Sequence, residues 1–257
     1  MVKQGQNVIY DICDHPFNDN DKLDKCIMAS RVVTSTETLR DEILSLTNRD
    51  PEHVVTIQDA LDPVAVQPIS IDRSQPIGLP KSADFSAPIR FLWYGNWGNA
   101  DKPNFGMKCL LPIIDQLNAF EDRASLTVVS NSGWLWDSIW PKFTIRAQYI
   151  EWGYSTFSSI ATLHTHCIIP LEIDEYTKCK SHNRVTTAQH LGLDVIASPV
   201  PNYLLFLNRF MEDGWTEGKL PFFKMDKAEI ERRHAAIQLP VIAAKWAALI
   251  SEVSHGN

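Results

Sequence analysis

From residue 89 to residue 198 short apolar runs alternate with helical patterns, and this alternation restricts the chain to few architectures. Residues 89–94, 126–130, 147–152, 166–170 and 195–198 read as strands, and 107–120, 155–162 and 183–191 as helices. Apolar strands separated by helices cannot pair as hairpins. They predict an α/β domain with a Rossmann-like parallel sheet and helices on both faces. Ligands of such sheets bind outside the carboxyl ends of the strands.

Upstream the same grammar is present in shorter form. Residues 7–14 read as a buried strand ending in acid, 22–30 as a helix, 31–35 as a strand and 54–57 as another. Thr36 is the expected N-cap of a helix running through Leu46. Between them and the main domain the prolines cluster at 63, 68, 76, 80 and 88, which predicts an irregular crossing segment. The expected division is 1–62 as part of an α/β domain, 63–88 as linker, 89–225 as the main domain and 226–257 as a helical tail. In that tail Trp246, Leu249, Ile250 and Val253 fall at helical spacing, with a break expected at Pro240.

Charge and cysteine content narrow the function. The net charge of −7 argues against a general nucleic-acid binder, which draws on Lys and Arg for phosphate contacts. Cys13, Cys26, Cys109, Cys167 and Cys179 are odd in number and lack CxxC spacing, so neither zinc nor a disulfide framework is expected. A cytoplasmic protein fits these thiols, with peripheral membrane attachment as a variant. No uninterrupted apolar run of transmembrane length is present, and the first residues lack the apolar core of a signal peptide.

Three segments at strand ends carry the chemistry. Gly95-Asn96-Trp97-Gly98 follows the first main strand, where glycines let backbone N–H groups approach a phosphate. Lys180-Ser181-His182-Asn183-Arg184 opens a helix, whose N-terminus favours anions; its alternative is a solvated loop capped by Ser181. Gly192-Leu193-Asp194-Val195-Ile196-Ala197-Ser198-Pro199 ends that helix and begins the last strand. Asp11, Asp14 and His15 form an acidic–basic cluster whose bland role is to cap a turn. His164 and His166 are read as structural, since two histidines make a poor metal site.

In order and spacing these segments, over residues 8–218, resemble GT-B glycosyltransferases. The resemblance is to the C-terminal, donor-binding domain, with residues 8–14 and 32–35 similar to the last strands of the N-terminal domain. It implies a hexosyl transfer, independent of metal and of any cofactor, from a nucleotide-sugar donor to an unknown glycan, lipid or protein acceptor. By resemblance Gly95, Asn96 and Gly98 approach the donor diphosphate, Lys180 and Arg184 neutralise it, and Ser181 and Asn183 donate hydrogen bonds. Asn131 and Trp152 sit where such folds hold the nucleoside, and Trp152 offers a stacking face. Asp14 and His15 are the candidate catalytic residues on the acceptor side.

The sequence departs from the family at two points. The two glutamates that many retaining members carry eight positions apart align with Cys179 and Thr187. The N-terminal domain is represented by its end alone, so a fragment, or a second chain supplying the rest, is expected. Two rival functions stay open: an epimerase on the same architecture, and a non-catalytic nucleotide-sugar-binding module acting as a scaffold.

Overall fold

The protein is described by a computed structural model covering residues 7–16, 19–61, 85–96, 106–207, 211, 218–220 and 226–255. Two parallel sheets form the frame. The first is built from β1 (Ile9–Ile12), β2 (Arg31–Thr34) and β3 (Val54–Thr56), in that order. The second comprises β4 (Ile89–Tyr94), β5 (Ala124–Ser130), β6 (Arg146–Glu151), β7 (His166–Ile169) and β8 (Asp194–Ala197). Its order is β6-β5-β4-β7-β8, and every pairing is parallel.

Side chains of a strand point alternately to the two sheet faces, and β4 shows the consequence. Phe91 and Trp93 join one core with Leu126, Val128 and Ile168. Leu92 joins the opposite core with Val129, Ile150, Cys167 and Ile169. Helices α3 (Ile114–Asn118) and α4 (Gly133–Ile139) cover the first face through Leu117, Leu135 and Ile139. Helices α5 (Tyr154–Ala161) and α6 (Asn183–His190) cover the second through Phe157, Ile160, Val185 and Ala188.

The smaller sheet is also enclosed. Helices α1 (Asn20–Met28) and α2 (Glu37–Thr47) pack Cys26, Leu39 and Ile43 on Ile12, Val32 and Val54. Thr36 caps α2 as expected, accepting from the Leu39 N–H at 3.0 Å. The opposite face takes the tail. After α7 (Lys227–His234) the chain crosses back, and α8 (Leu239–His255) sets Ile242 and Leu249 against Val33 and Ile57. Burying two such side chains contributes about 1.5–3 kcal/mol each. An Arg31–Glu252 ion pair at 2.6 Å and a bond from Asn7 Nδ2 to the Val253 carbonyl at 2.7 Å fasten the end.

Four elements differ from the sequence expectation. The helix expected over 107–120 is a 3-10 helix, Gly106–Ile113, followed by the short α3, because Pro112 lacks an N–H and obstructs a continuous α-helix. Helix α4 was not expected; it starts on Gly133 without a side-chain cap. In the tail the break falls at the extended Gln238, and Pro240 sits in the first turn of α8, where a missing N–H is harmless. The N-cap of α6 is His182 rather than Ser181. Most of the expected linker lies outside the described residues. Among those described, one segment, Lys227–His255, has the length and apolar content to cross a membrane.

Candidate active site

The strand order reverses at β4, with β5 and β6 on one side and β7 and β8 on the other. Gly95 and Asn96 leave β4 at this crevice, and residues 170–182 leave β7 and lead into α6. Long side chains on a helix lean toward its N-terminus, so Arg184, on the first turn of α6, reaches back to the crevice.

There Arg184 Cζ lies 5.4 Å from the Trp93 ring centre and 5.3 Å from that of Tyr94. Consecutive strand residues point to opposite faces, so the guanidinium straddles the end of β4. The Tyr94 hydroxyl donates to the Arg184 carbonyl at 2.7 Å and fixes the start of the helix. The positive charge also reaches Cys109, Cys167 and Tyr203, where it opposes the burial that pushes them up to about 11, 12 and 12. Yet Arg184 Nε and Nη2 are buried with no hydrogen-bond partner among the described residues. Arg184 is partly buried, and leaving two of its N–H donors unsatisfied away from water is costly, so donor capacity is left over beside the end of β4 that no described residue takes up.

Gly95 completes the cradle differently from the expectation. Its N–H donates to the Val129 carbonyl at 3.2 Å. That N–H is engaged in the strand extension, so Gly95 contributes space. A Cβ built there would stand 3.3 Å from Trp93 Cη2 and 3.6 Å from Arg184 Cζ. Asn96 follows, exposed, and Gly98 lies outside the described residues.

No family model matches the sequence, and no curated protein matches it. Solved structures do. A UDP-forming α,α-trehalose-phosphate synthase from Burkholderia vietnamiensis superposes with a TM-score of 0.66 at 9% identity, over 97% of this chain and 70% of that one. Anabaena Alr3699/HepE in complex with UDP-glucose gives 0.67 at 10% identity, over 96% and 72%. The E. coli trehalose-6-phosphate structure bound with UDP-2-fluoro glucose gives 0.61 at 13% identity, over 98% and 69%. The chain has the GT-B glycosyltransferase fold.

In this GT-B chain the two sheets meet along the segment that feeds α6. Thr36 Oγ1 donates to the Cys179 carbonyl at 3.3 Å, and Lys178 pairs with Glu42 at 2.6 Å. Asn183 Nδ2 donates to Asp59 Oδ2 at 2.9 Å. Cys179, aligned with one of the missing glutamates, is buried in the core of the first sheet with Ile12 and Leu39. The position is thus an anchor between the two halves. Thr187 is buried on α6.

Lys180 also faces the first sheet. Its Nζ donates to Asp14 Oδ1 at 2.6 Å and to the Tyr176 hydroxyl at 2.8 Å, and lies 4.2 Å from that ring's centre. His15 Nε2 stands 3.7 Å from Glu42 while Asp14 holds Lys180, so the two neighbours each have a partner of their own. Burial, then the neighbouring Asp59, raises the carboxyl of Asp11 above its ordinary range. Cys13, beside them, is pushed up to about 11, first by burial and then by Asp11.

The remaining expected positions differ in exposure. Asn131 is exposed after β5 and Trp152 is 48% exposed after β6; the Trp152 N–H donates to the Ser130 carbonyl at 2.8 Å. Ser181 is partly buried. His164 and His166 have separate partners, the Ile160 carbonyl at 2.8 Å and Thr165 Oγ1 at 2.8 Å. Sequence reasoning missed Trp93 and Tyr94, although both directly precede Gly95. It also missed Ser130 and Ser132, whose buried hydroxyls have no partner among the described residues.

Proposed function

We propose that this GT-B chain is a glycosyltransferase taking a sugar from a nucleoside-diphosphate donor, with Arg184 as the anchor of the diphosphate. One observation carries the reading: a partly buried guanidinium at the reversal point of the sheet, whose Nε and Nη2 have no hydrogen-bond partner among the described residues. Planar Arg recognises phosphate through paired donors, and the N–H groups at the start of α6 add to the same field. Ser181, Asn183 and Asn96 supply further polar groups around the anion. Asn131 and Trp152 border the place proposed for the nucleoside.

In the transfer the bond between the sugar's anomeric carbon and the diphosphate oxygen breaks, and a bond to the acceptor oxygen forms. The leaving diphosphate gains negative charge, which Arg184, fixed before the reaction, stabilises. The acceptor's hydroxyl proton passes to a base, for which Asp14 is proposed. Lys180 and Arg184 take the part a metal would otherwise play at the diphosphate, so chelators are expected to leave activity unchanged. The five cysteines, none of them in a disulfide, fit a cytoplasmic setting.

UDP-sugars are the first donors to try, because UDP-glucose and UDP-2-fluoro glucose occupy two of the similar structures. Release of nucleoside diphosphate from a panel of nucleotide sugars, followed chromatographically with mixed glycan, lipid and peptide acceptors, tests the reading. Release by the native protein and its loss in Arg184→Met support it. Binding without release in any mixture identifies a non-catalytic module, and an epimerised donor identifies an isomerase.

A further inference from the structure

We infer that Asp14 and the donor diphosphate compete for one cation, so that Lys180 changes partners when the donor binds. The inference rests on the donor reading above. Lys180 belongs to the segment leading into α6, two residues before its N-cap, yet its ammonium is held by Asp14 from the far side of the seam between the sheets. The pair is accessible, with the side chains 26% and 50% exposed, so it opens without stranding a buried charge.

The backbone leading up to Lys180 stays in place during such a swing. Cys179, directly before, is locked into the core of the first sheet, and Lys178 holds Glu42. Lys180 needs rotation only about its own side chain. The Tyr176 ring beneath it and the Tyr176 hydroxyl guide the ammonium. Asp14, Asp11 and Asp59 all act on the Cys13 thiol, so these carboxylates gather on this side of the seam. An incoming diphosphate, with its greater charge, draws Lys180 away from a single carboxylate. Asp14 is then uncovered on the acceptor side once the donor is seated, which imposes an order of donor first and acceptor second.

The test uses calorimetry with UDP, GDP, ADP and CDP on the full chain, carrying the tightest ligand forward. A partly exposed ion pair changes an equilibrium by up to about fivefold. Asp14→Asn is therefore expected to bind that nucleotide more tightly, by up to about fivefold. Lys180→Met binds it more weakly, and in the Lys180→Met background the gain from Asp14→Asn disappears. Tyr176→Phe, which keeps the ring and removes the hydroxyl, gives a smaller gain in the same direction and serves if Asp14→Asn folds poorly. The inference is overturned if Asp14→Asn and Tyr176→Phe leave affinity unchanged or lower it. It is equally overturned if the gain persists without Lys180, since a general field effect would then explain it. In both cases the donor reading survives; native protein that binds none of the four nucleotides removes both.

Discussion

Arg184 Cζ stands 3.6 Å from the point where a Cβ on Gly95 would lie. A residue on the first turn of α6 and a residue at the exit of β4, far apart in sequence, thus share one small space at the sheet's reversal point. The proposed chemistry depends on that space staying open.

Gly95→Ala fills it. The new methyl meets the Trp93 ring at 3.3 Å, so the ring must give by a few tenths of an ångström, while it comes into ordinary contact with the guanidinium at 3.6 Å and takes up the space beside it. Overpacking of this kind costs about 1–3 kcal/mol. The expected outcome is roughly tenfold weaker nucleotide binding, from about 1.4 kcal/mol of lost affinity. Calorimetry of nucleotide binding beside a thermal melt measures both effects.

Arg184→Met separates binding from stability. Losing a preorganised charged donor costs about 2–4 kcal/mol of transition-state stabilisation, so turnover falls by about two orders of magnitude. The ligand-free fold is expected to lose nothing or to gain, because a partly buried charge with two unsatisfied N–H groups among the described residues is exchanged for an apolar chain of similar length. A melting temperature unchanged or raised, with binding lost, is the predicted pair of results. A large fall in melting temperature would show that Arg184 is a structural residue.

Much of this was legible in the sequence, for a physical reason. Strand-forming apolar runs on β4, β5, β7 and β8 carry their own period and boundaries, so the parallel sheet followed from residue order. Thr36 as a cap was legible because capping is local. Arg184 was found because it opens a helix after a strand. What it does there was hidden, since its partners Trp93 and Tyr94 come from a strand that only the sheet order brings alongside. Lys180 looked equivalent to Arg184 in sequence; its pairing with Asp14 exists only through the seam between the two sheets. Helix α4 was missed because seven residues with three tryptophans among them and nearby carry no clear helical period.

Acid should weaken the fold through three buried histidines. Burial, the largest cause in each, lowers His164, His182 and His234 to about 4, from 6.5. Between those values the unfolded chain binds protons that the folded chain refuses. Stability from these groups is therefore present in full above pH 6.5 and falls as the pH drops toward 4, by up to about 3 kcal/mol each. Urea titrations at pH 7.5, 6 and 5 check this; a midpoint that rises on acidification would contradict it.

The tail's packing is testable at Leu249. This side chain is buried against Val33 and Ile57 on the first sheet. Leu249→Ala is expected to destabilise by about 2–4 kcal/mol through lost burial and the cavity left behind. Hydrogen exchange should show protection lost first in α8 and β2, with the five-stranded sheet retained.

The most direct measurement is a crystal of the full chain soaked with the nucleoside diphosphate that binds most tightly. The account predicts the diphosphate within hydrogen-bond distance of Arg184 Nε and Nη2, beside Gly95 and the start of α6, with Lys180 turned from Asp14 toward it. A bound nucleotide whose phosphates lie elsewhere, with those two nitrogens still unpartnered, would contradict it.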